Sequence, residues 1–101
     1  METGQEIRVE VKVETVVPPS EWRVVFHNDD TTPVSLIVYI LKEVFRYEES
    51  QAVGKALDIE RKGRDVVGVY TRSIAETKQG IALDMARNAG YETSITIEKD
   101  E

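Results

Sequence analysis

The 101-residue sequence contains no cysteine and a single histidine, His27. Without cysteine the chain has no disulfide, no thiol nucleophile and no thiolate metal ligand. A single histidine also excludes a metal site built on several imidazoles of this chain. A chain of this length supports one core, which excludes an enzyme with a cleft between two domains. We therefore expect one small domain without a metal or a cofactor.

Basic residues and long apolar runs are also scarce. Thirteen Lys and Arg stand against nineteen Asp and Glu, a formal net charge of −6. This acidity argues against nucleic-acid binding, which needs a basic patch, and favours a positively charged partner. The longest apolar run, 34–41, is broken by Ser35 and is far shorter than the ~20 residues of a membrane span. With no signal-peptide pattern visible, we expect a cytoplasmic monomer that binds neither nucleic acid nor membranes.

Residues 1–20 differ from the rest of the chain. Apolar and charged residues alternate with a period of two from Ile7 to Glu14, and Pro18-Pro19 then breaks regular structure. The pattern is typical of a solvated flexible arm, and also of a strand that adds to a sheet edge in this molecule or in a partner. We divide the chain into an N-terminal arm, 1–20, and a folded domain, 21–101.

Six elements are predicted in the folded domain. Their order is strand, helix, helix, strand, helix, strand, judged from apolar periods of 2 and 3.6 residues. This order predicts an α+β fold, β-α-α-β-α-β, in which three helices pack on one face of a small three-stranded sheet. The predicted strands are 21–27, 65–71 and 91–98, and the predicted helices are 33–46, 48–62 and 73–89.

The helix ends carry recognisable signals. Thr32 is the expected N-cap of the first helix, and Ser73-Ile74-Ala75-Glu76 matches a capping box for the third. Gly63 stands where a residue in the left-handed conformation ends the second helix. The first helix is apolar nearly all round, which predicts that it is buried at the centre of the domain.

Catalytic patterns are weak. His27 lies close to Asp29 and Asp30, but each serine is better explained as a cap, turn or strand residue, so no nucleophile–base pair is evident. The glycines are isolated and match no phosphate-binding loop. We therefore predict a protein that is not an enzyme.

The run Asn28-Asp29-Asp30 links the first strand to the first helix. Such residues suit a turn before a helix N-terminus, which is a purely structural explanation. They also form a receptor for an ammonium group, whose three donors make strong hydrogen bonds to carboxylates. Val34 and Ile37 lie one helical turn apart beside them and can wall an apolar pocket. An ammonium group next to an apolar side chain is the N-terminus of a polypeptide.

Two sequence motifs resemble those of the Clp protease adaptor family ClpS. The first is His27-Asn28-Asp29-Asp30-Thr31-Thr32-Pro33, preceded by Trp22-Arg23-Val24-Val25-Phe26. The second comprises Gly68-Val69-Tyr70-Thr71 and Ala75-Glu76-Thr77-Lys78. The resemblance covers residues 21–98 with the same order of elements.

The resemblance implies an adaptor that binds the α-amino group and first hydrophobic side chain of N-degron proteins and delivers them to a Clp-family AAA+ ATPase and its protease. It assigns the α-amine to Asn28 and Asp29, and support of the peptide and the loop to Thr32 and Asp30. It assigns the ATPase docking face to Lys78 and delivery to the arm. The implied side-chain pocket is formed by Val34, Ile37, Ala56, Ile59 and Thr93.

The sequence departs from the family in the binding site. Glu60 stands where the family usually has a histidine that accepts a hydrogen bond from the α-amine. A carboxylate can accept from an ammonium more strongly, and beside Asp29 it is expected to raise a carboxylate pKa until a cation binds. Alternatively, Glu60 is a solvated helix residue and the amine site is weakened.

Three pocket side chains are smaller than their family counterparts. Val34 and Ala56 replace methionines, and Thr93 replaces a leucine. We expect a wider pocket that also admits β-branched first residues such as Ile or Val, although a loose pocket would equally lose contacts and affinity.

Two other functions compete with the N-degron adaptor. A diverged regulator would dock the Clp ATPase without recognising N-degrons, or compete with other adaptors. The second is a plain interaction module, similar in fold to the C-terminal domain of the ribosomal stalk protein. Such a module would not require the run Asn28-Asp29-Asp30, which we call the acidic turn.

Overall fold

The computed structural model of the protein describes residues 20–100. The predicted N-terminal arm therefore lies almost entirely outside the described residues. The elements are β1 (Trp22–His27), α1 (Val34–Glu43), α2 (Glu49–Lys62), β2 (Arg64–Tyr70), α3 (Arg72–Asn88) and β3 (Ser94–Lys99).

The predicted α+β architecture is confirmed. The three strands form one antiparallel sheet in the order β2-β1-β3, with β1 in the middle. The central strand has the strongest apolar sequence, and Val24, Val25 and Phe26 are fully buried. A bulge between Val24 and Val25 shifts the register with β2, which is the usual effect of one extra residue in an antiparallel pair.

The three helices pack on one face of this sheet around a single core. Apolar side chains at helical spacing bury one stripe of each helix in this core. The buried core residues of the helices are Ile37, Ile40, Leu41, Ala52, Ala56, Ile59, Ala75, Ala82 and Ala86, and those of the strands include Val24, Phe26, Val67 and Ile95.

The first helix is less buried than its sequence predicts. Its inner face carries Ile37, Ile40 and Leu41, but Tyr39 is 55% exposed. The prediction of a helix buried at the centre of the domain holds for the inner side of α1 only, which contacts α2 and α3. Its outer side stays open to solvent.

The end signals of the helices were only partly predictive. Gly63 ends α2 with a φ of 91°, as predicted. Thr32 is not the N-cap of α1, because Pro33 takes that position and the Thr32 hydroxyl bonds elsewhere. The capping box at Ser73 is also wrong: α3 begins one residue earlier, at Arg72, and Thr71 caps it without a side-chain hydrogen bond.

The end of α1 carries a feature that its sequence does not signal. Arg46 adopts a positive φ of 62°, a conformation that usually selects glycine or asparagine. The Tyr47 N–H then donates to the Leu41 carbonyl at 3.1 Å, and the Tyr47 hydroxyl donates to the Val67 carbonyl at 2.8 Å. These two bonds fix the α1–α2 connection against β2.

No helix among residues 20–100 combines the length and apolarity that crossing a membrane requires.

Candidate functional site

The acidic turn lies at the end of the sheet where β1 leaves it. His27 is the last residue of β1 and pairs with Arg64 on one side and Ser94 on the other. The Asn28 N–H donates to the carbonyl of Gly63, at the end of α2, at 2.8 Å. Because β2 and β3 run antiparallel to β1, both begin at the end of the sheet where β1 ends. The turn is therefore flanked by the end of α2, which precedes β2, and by the segment before β3.

Asp29 organises this turn. Its Oδ1 accepts hydrogen bonds from the Thr31 N–H at 2.8 Å, the Thr31 hydroxyl at 3.0 Å and the Thr32 N–H at 2.6 Å. Its Oδ2 accepts from the Thr32 hydroxyl at 2.8 Å. Short polar side chains commonly bond the backbone two or three residues ahead in this way. The carboxylate is thus held in one orientation before any partner arrives.

These hydrogen bonds determine the acidity of Asp29. Burial raises the pKa of its carboxyl group, but the bonds from Thr32 and Thr31 together outweigh burial and hold the pKa below its ordinary value. Hydrogen bonds to a carboxylate favour its charged form. The expected rise of a carboxylate pKa is therefore wrong for Asp29, which carries a full negative charge at neutral pH.

Asn28 and Asp30 flank Asp29 and are exposed, and their side chains have no hydrogen-bond partner within residues 20–100. Glu60 is also exposed. It lies on the last turn of α2, three residues before Gly63, whose carbonyl holds Asn28. Glu60 therefore belongs to the same end of the molecule as the acidic turn. Within the described residues its carboxylate makes no ion pair or hydrogen bond.

The predicted pocket residues are brought together as a buried wall. Ile37, Ala56 and Ile59 belong to one core cluster, with exposed fractions of 2%, 0% and 0%. Val34 is half-buried, packs against that cluster and lines a groove of about 430 Å³ between α1 and α2, together with Val38 and Val53. Val34 therefore lines an open groove, whereas Ile37, Ala56 and Ile59 are covered from solvent.

The wider pocket remains a prediction. Three grooves of the described residues, including the one at Val34, are not lined by Ile37, Ala56, Ile59 or Thr93. The structure therefore gives no support to a large open cavity at these positions.

Thr93 differs from an apolar wall residue. It is 6% exposed, and its hydroxyl lies 2.8 Å from the hydroxyl of Thr32. Thr93 was predicted as a pocket residue, but neither this bond nor the role of Thr31 as a partner of Asp29 was predicted from the sequence. The Asp29–Thr31–Thr32 spacing is a signal for the turn, whereas no signal in the sequence joins Thr32 to a residue 61 positions away.

Lys78 lies at a different place, on α3 beside the end of α1. Its ammonium group donates to the Val44 carbonyl at 2.8 Å. It also lies 5.4 Å and 5.9 Å from the ring centres of Tyr70 and Phe45, within range of a cation–π interaction. Lys78 therefore ties α3 to the C-terminal end of α1, which is a structural role the sequence analysis did not predict.

A groove of about 610 Å³ opens next to Lys78, and we call it the α1–α3 groove. Tyr39, Ile74 and Ile81 lie in it with exposed fractions of 55%, 46% and 48%. Exposed apolar side chains gathered in one groove are typical of an interaction surface. The groove is lined by Tyr39, Glu43, Val44, Arg46, Ser73, Ile74, Thr77, Lys78, Ile81 and Met85.

Comparison with known proteins gives a consistent result. Residues 17–96 match the family model of ATP-dependent Clp protease adaptor protein ClpS. The chain is 40% identical over 91 residues to the ATP-dependent Clp protease adapter protein ClpS of Burkholderia thailandensis, covering 90% of this chain and 88% of that protein. The ClpS adapter of Burkholderia cenocepacia is 38% identical over 91 residues, again covering 90% of this chain and 88% of that protein.

A solved structure agrees with these sequence matches. Agrobacterium tumefaciens ClpS2 bound to L-phenylalaninamide superimposes with a TM-score of 0.79 at 36% identity, covering 82% of this chain and all of that one.

Proposed function

This chain belongs to the ClpS family of ATP-dependent Clp protease adaptor proteins, and we propose that it binds the free N-terminus of N-degron polypeptides and delivers them to a Clp ATPase–protease. The family consists of adaptors and not of enzymes. The absence of nucleic-acid and membrane partners, the monomeric state and the cytoplasmic location remain predictions.

One observation carries the proposal: a carboxylate fixed by four hydrogen bonds lies directly before α1, whose inner face carries the buried Ile37. Asp29 is held in place by Thr31 and Thr32. An ionised carboxylate has about four acceptor positions, and Thr32 uses only one of those on Oδ2. An α-ammonium group can therefore bond Oδ2 without breaking the turn, with Asn28 as an exposed neighbour.

The relationship to a ligand-bound structure supports the chemistry of the ligand. Agrobacterium tumefaciens ClpS2 binds L-phenylalaninamide, an amino acid derivative with a free α-amine and an apolar side chain. The same two features would meet Asp29 and the wall formed by Ile37, Ala56 and Ile59 here, with Val34 at its rim. We propose that Glu60, at the end of α2, accepts from the amine as well.

Peptides that differ only at the N-terminus test the proposal. Fluorescence polarisation would compare a peptide beginning with Phe and labelled at its C-terminus with the same peptide acetylated at its α-amine. Charge-assisted hydrogen bonds contribute roughly 1.5–3 kcal/mol, so the free amine should bind at least about tenfold more tightly. Equal binding of the two peptides would contradict the proposal.

Variants locate the amine site. Asp29→Ala should abolish binding of the free-amine peptide, whereas Glu92→Ala, which removes an exposed charge next to Thr93, should not. Glu60→Gln should weaken binding if Glu60 accepts from the amine, and Glu60→His should restore it. Equal affinity of Glu60→Gln and wild type would assign Glu60 to the solvated helix surface instead.

A second candidate function is favoured by the α1–α3 groove. Its exposed apolar residues and Lys78 give this chain a docking surface for a Clp ATPase that does not depend on the amine site. A protein that docks there without binding N-degrons would regulate the ATPase or compete with other adaptors.

A further inference from the structure

Two buried hydroxyl groups connect the segment before β3 to the acidic turn. Thr32 and Thr93 are the buried polar residues among residues 20–100, with exposed fractions of 9% and 6%. Their hydroxyl oxygens lie 2.8 Å apart, and the Thr32 hydroxyl lies 2.8 Å from Asp29 Oδ2. The three side chains thus form one continuous row of hydrogen bonds.

The direction of the protons in this row follows from the chemistry of its end. A carboxylate can only accept, so the single proton of the Thr32 hydroxyl points to Asp29. The Thr32 oxygen must then act as the acceptor toward Thr93, and the Thr93 hydroxyl is the donor. Thr93 donates to Thr32, and Thr32 donates to Asp29.

We propose that Thr93 is a positioning residue for the amine site, because its hydroxyl holds the Thr32 hydroxyl in the orientation that fixes Asp29. The inference rests on the proposed function, since it assigns Asp29 to the α-amine. Without the Thr93 donor the buried Thr32 oxygen would lose one partner, and a buried polar group without its partner favours rearrangement. Asp29 Oδ2 would then be less well oriented for an ammonium group.

Thr93 is thereby more than a part of the apolar pocket. A leucine, the residue that the ClpS resemblance leads us to expect here, can line a pocket but cannot donate a hydrogen bond. The two roles depend on different groups of the side chain. A pocket wall depends on the methyl group of Thr93, and the positioning role depends on its hydroxyl group.

Two substitutions of Thr93 separate these roles. Thr93→Val keeps the shape and removes the hydroxyl, and Thr93→Ser keeps the hydroxyl and removes the methyl group. Fluorescence polarisation with the C-terminally labelled Phe peptide should show about three- to tenfold weaker binding to Thr93→Val. Thr93→Ser should bind within about twofold of wild type. Circular dichroism and thermal unfolding would verify that both variants are folded.

A double-mutant cycle tests the path through Thr32. If Thr93 acts through the Thr32 hydroxyl, Thr93→Val should cause no further loss of affinity when it is added to Thr32→Val. An additional loss in the double variant of the same size as in the single variant would overturn the proposed path.

The remaining outcomes are decisive as well. Wild-type affinity in Thr93→Val, or a loss in Thr93→Ser as large as in Thr93→Val, would overturn the positioning role and leave the proposed function intact. If wild type bound free and acetylated peptides equally, both the proposed function and this inference would fall.

Discussion

The carboxylate of Asp29 both shapes the turn and stabilises the fold. Its carboxylate accepts four hydrogen bonds from Thr31 and Thr32 and so shapes the turn. The same bonds lower its pKa against the opposing effect of burial. A group whose pKa is lower in the folded state than in the unfolded state stabilises the fold at neutral pH, because the charged form is preferred when folded.

We therefore expect Asp29→Asn to lower the free energy of unfolding by about 1 kcal/mol at pH 7, the typical value for an end-of-helix or turn hydrogen-bond acceptor. The wild-type contribution is complete above the unfolded pKa of about 4 and is lost as the pH falls through the lowered folded value. The difference between the two proteins should shrink over this range. Urea unfolding at pH 7, 5, 4 and 3 would measure it.

Glu92→Gln is the matched control for this series. Glu92 is exposed and has no hydrogen bond or ion pair within the described residues, so its substitution should change stability by less than about 0.5 kcal/mol at every pH. An Asp29→Asn variant whose deficit stays constant down to pH 3 would show that the carboxylate charge is not the source of the stabilisation.

At the scale of elements, the junction of β2, α1 and α3 depends on one aromatic ring. Tyr70 of β2 packs on Phe45 with ring centres 6.4 Å apart, and Lys78 of α3 lies 5.4 Å from the Tyr70 ring. The ring reaches this position because Gly68, two residues earlier on the strand, has no side chain. A Cβ there would lie 2.5 and 2.6 Å from Cε2 and Cζ of Tyr70.

Gly68→Ala should consequently destabilise the protein by about 1–3 kcal/mol, the usual cost of overfilling a packed site. The Tyr70 ring must turn away, which removes its contacts with Phe45 and Lys78. Gly54→Ala is the control, because Gly54 lies within α2 with nothing within 4 Å of its added Cβ. It should stabilise α2 by up to about 1 kcal/mol. Guanidinium unfolding would measure both, and a change of the same sign in both variants would contradict this account.

Local sequence signals predicted some ends of the helices but not others. Gly63 ends α2 as predicted, because its left-handed conformation is one that glycine adopts without strain. Thr32 failed as an N-cap because a carboxylate three residues earlier and a second hydroxyl across the domain bond its side chain. Arg46 gave no signal for its positive φ, which is accompanied by a local bond from the Tyr47 N–H to the Leu41 carbonyl and by a bond from the Tyr47 hydroxyl to the Val67 carbonyl of β2. Local patterns therefore predicted the elements and the end of α2, whereas contacts between residues distant in sequence contribute at both ends of α1.

At the scale of the whole molecule, two candidate surfaces lie along α1. The candidate amine site lies at the start of α1, next to Val34, and the α1–α3 groove includes Val44 and Arg46 beyond its end. Ten helical residues span about 15 Å. The sequence predicted the amine site from one contiguous motif. It predicted only Lys78 of the groove, because the exposure of Tyr39, Ile74 and Ile81 depends on how the helices pack.

This separation predicts that ATPase docking and peptide binding can be lost independently. Ile81→Glu places a charge in the α1–α3 groove and should weaken binding to the cognate Clp ATPase by at least about tenfold, the effect of losing one well-buried interface side chain. Peptide affinity should stay within about twofold. Val69→Glu is the control, because Val69 is similarly exposed at 44% on β2 but does not line the groove.

Biolayer interferometry with the immobilised ATPase would measure docking, and fluorescence polarisation with the Phe peptide would measure recognition. If Ile81→Glu and Val69→Glu docked equally well, the α1–α3 groove would not be the docking surface. If wild type docked but discriminated no peptide by its α-amine, the protein would be a regulator of the ATPase and not an N-degron adaptor. Loss of both activities in Ile81→Glu, with the fold intact, would mean that the two surfaces are coupled.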